Sequence, residues 1–136
     1  MSEQTIVSIQ SQPRAMENIT RQVADFVTQC GRASGVVHVF VQHTSCSLII
    51  TENADPDVRR DLETLAQRWA PDGDRAYRHD TEGDDDMAAH ARSVLTSTSV
   101  TVPFANGRLL LGTWQGIYLW EHRTQRHMRT VVMTIL

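Results

Sequence analysis

The stretch TSVTVPFANGRLLLGTW, residues 98–114, decides the fold class. Asn106-Gly107 lies between two apolar runs, and this dipeptide supplies the two consecutive positive-φ residues that a two-residue hairpin turn needs. A hairpin makes its strands antiparallel neighbours, so the last third of the chain reads as strands joined by short turns rather than by helical crossovers. QGIYLWEHR, residues 115–123, continues the pattern with Tyr118, Trp120 and His122 on one face and Leu119 and Glu121 on the other. After a turn at RTQR, the segment HMRTVVMTIL is expected to form the closing strand.

Working outward to the N-terminus, EQTIVSIQ, residues 3–10, reads as a first strand ended by SQPR. Met16, Ile19, Val23, Phe26, Val27 and Cys30 recur at helical spacing, and Gly31 stands where a left-handed C-terminal residue is wanted, which predicts a helix over Met16 to Cys30. GVVHVFVQ, residues 35–42, is apolar on both faces and predicts a central, doubly covered strand, with CSLIIT as a second extended segment. In DPDVRRDLETLAQRWA, Asp55 is the expected N-cap, Pro56 the first helical residue, and Val58, Leu62, Leu65 and Trp69 the buried stripe. A long polar stretch, PDGDRAYRHDTEGDDD, follows. Thr81 and Asp84 resemble a capping box for the helix DDMAAHARSVL, whose expected inner face is Met87, Ala91, Val94 and Leu95, shared by His90. The sum is one α+β domain over residues 1–136: a predominantly antiparallel sheet or sandwich with three helices.

Composition narrows the function classes. A chain of 136 residues can bury a core without disulfides or a structural metal, and Cys30 and Cys46 read as two reduced thiols. No apolar run approaches the roughly 20 residues of a membrane span, and MSEQTIVS has neither the basic region nor the apolar core of a secretory signal, so a cytoplasmic protein is expected. A net charge of -3 provides no electrostatic footprint for nucleic acid. All 13 basic residues are arginine, which excludes Schiff-base chemistry on this chain and leaves arginine, backbone amides or a metal to neutralise a phosphate.

The segment HTSCSLIITENADPD, residues 43–57, concentrates chemistry at both ends of a short strand. His43, His79, His90 and His122 lie near element ends or in polar loops, and three converging neutral imidazoles with an open fourth position would make a catalytic-type zinc site. No H-x-x-x-H motif is present, and His38 and His127 occupy plain strands, so the histidines have an ordinary reading as well. Glu52, Asp84, Asp85 and Asp86 could act as general bases or hold Mg²⁺, although acids in the first turn of a helix are favoured by its dipole without any further role. Thr44, Ser45, Cys46 and Ser47 could donate hydrogen bonds to a phosphate that Arg123 pairs with; equally, Thr and Ser suit strands. Gly112 to Gly116 reads as a strand interrupted by glycines, a mark of a bulge or of close ligand approach.

Three segments in order, HTSCSLIITENADPDVRRDLE, YRHDTEGDDDMAAH and NGRLLLGTWQGIYLWEHR, resemble the YjbQ family, also called UPF0047, over nearly the whole chain. The resemblance implies a compact α+β fold assembled as a homotrimer, with histidine-rich pockets able to hold a metal ion, often zinc. Members are labelled secondary thiamine-phosphate synthases, for a weak ability to couple hydroxymethylpyrimidine diphosphate to thiazole phosphate. Matched residue by residue, the motifs carry His43, Glu52, Asn53, His79, Asp85, Met87, His90, Gln115 and His122, while Cys46 stands where alanine is usual. The resulting expectation assigns His43, His90 and His122 to the metal, zinc first and Mg²⁺ as alternative, and Glu52, Asp85 and His79 to catalysis. Thr44, Ser45, Asn53, Gln115 and Arg123 are assigned to a small phosphorylated substrate. Two other readings stand beside the transferase: a metal-dependent hydrolase of a small phosphorylated molecule, and a trimer that binds metal or ligand without catalysis.

Overall fold

The hairpin at residues 98–114 forms, but it is lopsided. In the computed structural model, which describes residues 3–136, β5 (Ser99–Ala105) enters Asn106 and Gly107 at φ 53° and 72°. Both values are left-handed, as a type I′ turn requires. The returning strand, β6, is only Arg108–Leu109. After the Leu110 amide donates to the Pro103 carbonyl, residues 111–114 leave the sheet, held by polar clamps: the Gly112 amide donates to Gln115 Oε1 at 2.9 Å, and Asn53 Nδ2 donates to the Thr113 and Gln115 carbonyls at 3.3 and 3.4 Å.

All strand pairing among the described residues is antiparallel, in two sheets. The larger runs β1 (Gln4–Gln10), β8 (Met128–Ile135), β3 (Ser34–Val41), β5, β6; the smaller runs β2 (Met16–Asn18), β7 (Gln115–Glu121), β4 (Cys46–Glu52). The inward residues of β3, β5 and β8 join Leu48, Ile117 and Leu119 of the smaller sheet and Val23, Phe26 and Val27 of α1 (Thr20–Cys30) in one core. β3 is central, as its β-branched run predicts, but its second face is not covered by any described element: Phe40 stays 40% exposed on the outer surface. β7 is the middle strand of its sheet, and both of its faces are buried: Tyr118 and Trp120 meet Arg59 and Glu63 of the helix that follows β4, while Ile117 and Leu119 enter the core.

Expectations about all three helices are corrected. The first helix starts at Thr20, not Met16, because Met16–Asn18 pairs with Trp120–Tyr118 as β2, and Ile19, fully buried, becomes the cap residue. α2 (Pro56–Trp69) has the expected start, with Asp55 accepting from the Asp57 amide at 2.9 Å, but its stripe does not reach the core. Trp69 and Leu65 are exposed and only Ala66 is buried. The helix is tied down instead by Glu63, which accepts from Arg92 through both oxygens at 2.8 and 2.9 Å and from Trp120 Nε1 at 3.2 Å. α3 (Asp86–Leu95) is rotated from expectation: Ala88, Ala89, Arg92 and Ser93 face inward, while Val94 and Leu95 are exposed. Thr81 and Asp84 form no capping box, since the N-cap is Asp85 and its side chain makes no cap bond. No described helix is long and apolar enough to cross a membrane.

Candidate metal centre

The polar stretch 71–85 folds as a chain of turns pinned at several points. Arg14 grips Asp72 through two hydrogen bonds, at 2.8 and 2.6 Å, the Gly73 amide donates to the Asp84 carbonyl, and Arg123 Nη2 donates to the Glu82 carbonyl at 2.9 Å. Gly83, at φ 102°, makes the last reversal before α3; a side chain there would be strained and would press on Asp85 Oδ1. These pins bring His79 back over the first turn of α3.

There, His79, Asp86 and His90 place one donor atom each within 4.8 Å of one another, the one such grouping of histidine, cysteine and acid side chains among the described residues. Asp86 Oδ2 lies 2.6 Å from His79 Nε2 and 3.4 Å from His90 Nε2, so one carboxylate oxygen faces both imidazoles. The other oxygen accepts from Arg123 Nη1 at 2.9 Å. Asp86 is nearly buried, whereas both imidazoles are partly exposed, so the cluster is anchored at its base and open at its mouth. Burial works to raise the Asp86 carboxyl, but hydrogen bonding to His79 and the Arg123 charge prevail and hold it below its ordinary value. The same hydrogen bond raises His79. Asp85 also sits well below the carboxylate range: burial opposes ionisation, and bonds from Arg123 Nε and from the Thr124 amide outweigh it.

The other expected site residues are dispersed. His43 and Thr44 share with His90 a cavity of about 460 Å³, which Ser93, Ser97 and Thr98 also line. His43 Nε2 accepts the Thr130 amide at 2.8 Å, which leaves its proton on Nδ1; burial, then the Arg129 charge, lower its pKa. His122 does not join a cluster with His43 and His90: it is fully buried, its Nε2 lies 2.8 Å from Ser47 Oγ, and its Nδ1 has no partner among the described residues. Ser45 Oγ accepts from Arg129, turned toward a buried ion pair of Arg129 with Glu121. Glu52 accepts from the Asp55 amide at 3.0 Å at the start of α2, and Asn53 and Gln115 clamp the 112–116 turn. Arg123 is committed to Asp85, Asp86 and the Glu82 carbonyl. Cys46 is fully buried, and burial pushes its thiol up to about 12, so it is an inert core group.

Asp86 is the member of this cluster that the expected site leaves out, because an acid in the first turn of a helix already has an explanation in the helix dipole. The available signal was its spacing: Asp86 and His90 stand four apart and therefore on one helix face.

Fold and cluster together define a two-sheet α+β protein with an open histidine–carboxylate centre. A family model described as "UPF0047 protein YjbQ-like" matches residues 5–136, and the chain belongs to that family. It is 49% identical over 132 residues to a UPF0047 protein of Synechocystis, covering 97% of this chain and 90% of the other. With the UPF0047 protein YjbQ of Escherichia coli O157:H7 it shares 38% identity, covering 97% and 96%. Its structure is similar to that of a yjbq/upf0047 family protein of Clostridium acetobutylicum, with TM-score 0.88, 35% identity and coverage of 97% and 99%. A conserved hypothetical protein of Thermus thermophilus matches with TM-score 0.87 at 33% identity, again covering 97% and 99%.

Proposed function

We propose that this chain is a metal-dependent enzyme acting on a small phosphorylated molecule, with a divalent ion held by His79, Asp86 and His90. The observation that carries this reading is the convergence of three donor atoms within 4.8 Å at an open mouth. Two imidazoles and one carboxylate suit zinc better than magnesium, which prefers an all-oxygen shell. Three protein ligands also leave a position for water or substrate. The ion supplies Lewis-acid stabilisation of charge building on a phosphate or diphosphate oxygen.

The chain's own groups do the rest. Arg123 orients Asp86 by holding the oxygen that faces away from the imidazoles. The adjoining cavity, reached through His90, offers the hydroxyls of Thr44 and Thr98 and the protonated Nδ1 of His43, since Ser93 and Ser97 already donate to the Cys46 and Ser99 carbonyls, and no described lysine or arginine lines it. Substrate there is positioned by neutral hydrogen bonds, and charge neutralisation falls to the ion. The specific reaction proposed is a weak thiamine-phosphate synthase activity, in which pyrophosphate departs from hydroxymethylpyrimidine diphosphate as thiazole phosphate is coupled. Self-association, as a trimer, is proposed through the outer face of the large sheet, where Ile6, Val132 and Phe40 form one apolar row across three strands.

Metal content separates the ligand sets. Protein purified without added metal is expected to hold about one zinc per chain, lost in His79→Ala, Asp86→Asn and His90→Ala and kept in His43→Ala. Retention of zinc by the Asp86 and His79 variants, with loss in the His43 and His122 variants, would overturn this site in favour of the set expected from the sequence. Chelated protein that still couples the two thiamine halves would overturn the metal-dependent reaction.

A further inference from the structure

A second cleft, of about 360 Å³, lies between the chain around β2 and the N-terminal half of α2, and shares no lining residue with the His79–Asp86–His90 cluster. Arg14, Met16, Pro56, Arg59, Arg60 and Glu63 line it. Three guanidiniums lining one cleft would ordinarily cancel against neighbouring acids, and two of them do. Arg14 is neutralised by Asp72 and Arg60 by Asp57. Glu63, the one acid in the wall, is already saturated by Arg92, Trp120 and Gln67.

Arg59 is different. It has no carboxylate partner among the described residues; its Nη1 donates to two neutral acceptors, the Glu52 carbonyl at 3.0 Å and Tyr118 Oη at 3.2 Å. Its guanidinium also stacks over the Tyr118 ring, 5.2 Å from the centroid. A planar cation is thus held in one orientation by stacking and by both protons of one nitrogen. Its Nε and Nη2 have no acceptor among the described residues, and the edge they share is the fork that matches a carboxylate through two parallel hydrogen bonds.

We propose that this cleft binds a small organic carboxylate, with Arg59 taking the carboxylate head and Met16 and Pro56 taking an apolar body. One uncompensated positive charge matches a monoanion rather than a phosphate dianion. Pre-orientation of the guanidinium lowers the ordering cost of binding, so a ligand of few atoms can occupy the cleft at useful affinity.

The test is an NMR titration of the full chain with benzoate at constant ionic strength, following the Met16 methyl and the Arg59 Nε–H resonances. Saturable shifts at both are expected, with no saturation by benzamide, which lacks the charge, and weaker binding of inorganic phosphate. Arg59→Gln should weaken benzoate at least about tenfold, the loss expected of a bidentate charged contact, and Arg60→Gln by less than about twofold, as for an exposed pair. Because Arg59 also steadies Tyr118, Met16→Glu serves as the second variant: it places a competing carboxylate in the cleft, leaves every Arg59 contact intact, and should abolish benzoate binding. Phosphate binding tighter than benzoate would overturn the ligand class. Failure of benzoate to saturate by about 10 mM, well above the millimolar range expected for so small a ligand, or binding unchanged in both variants, would overturn the site.

Discussion

Arg123 holds Asp86 by its Oδ1, at 2.9 Å, and thereby leaves Oδ2 facing His79 and His90. The same guanidinium donates from Nε to Asp85 and from Nη2 to the Glu82 carbonyl, so one side chain just past the end of β7 fixes both the carboxylate and the loop that carries His79. A group that orients a ligand without touching the ion typically accounts for about 10–100-fold in metal affinity. Arg123→Lys, which keeps the charge but loses the fork, is therefore expected to weaken zinc retention by about tenfold or more in competition with a chromogenic chelator, while the folded state persists by circular dichroism. Unchanged retention would make the Arg123 fork a loop anchor only.

His122 should make stability depend on pH. Burial, then the charges of Arg92, Arg129 and Arg14, lower it from 6.5 to about 3. Between those values the folded chain keeps His122 neutral while the unfolded chain takes up a proton, so the unfolded state binds more protons and stability falls as pH falls. Each pH unit in that window removes about 1.4 kcal/mol. His122→Gln, which can still reach Ser47, is expected to lose about 2 kcal/mol less than the parent between pH 6.5 and about 5, read by urea denaturation at each pH. Parallel stability curves would show that His122 is protonated in the fold.

Gly116 tests the packing beneath the same strand. A Cβ there would lie 2.9 Å from Tyr118 Cε2 and 3.3 Å from Asn53 Cβ, so alanine forces the ring or the clamp of the 112–116 turn to move. Gly116→Ala is expected to destabilise by about 1–3 kcal/mol, the range for overpacking. A stability within about 0.5 kcal/mol of the parent, as for an ordinary surface change, would mean that Tyr118 yields freely.

Most strands were legible because their signals are local. Asn106-Gly107 specifies its turn through the φ values it tolerates, and the β-branched runs of β3 and β8 need no partner to be read. The helices were harder because their faces are set by tertiary partners. α2 is held by Glu63 on a fully buried Arg92, a polar anchor that no hydrophobic period reveals, and α3 turns Val94 outward because Arg92 and Ser93 are drawn in. The site was half legible for the same reason. The sequence displays His79 and His90, but their convergence on Asp86 depends on Gly83 and Arg123 folding the intervening loop. His122, identical in kind, is swallowed by the core beside Trp120, with ring centroids 4.9 Å apart.

The buried pair of Glu121 and Arg129 offers the largest expected effect of a single substitution. Glu121 is fully buried, accepts from Ser11 Oγ and the Arg123 amide as well as from Arg129, and its carboxyl is held below its ordinary value: burial opposes ionisation and the Arg129 bonds outweigh it. Arg129 in turn reaches Ser45, so the pair ties β7 to β8 and to the chain just before β4. Removing one member strands the other's charge in the interior, at a cost of about 3–5 kcal/mol, whereas removing both replaces two costly desolvations by one better-packed contact. Arg129→Met alone is expected to destabilise by about that amount, and the double variant Glu121→Gln with Arg129→Met to recover at least about half of it. Denaturant midpoints of the parent, both single variants and the double variant complete the cycle. Purely additive losses would mean that each side chain is satisfied by its other partners, Ser11 and Ser45, and that the ion pair contributes nothing of its own.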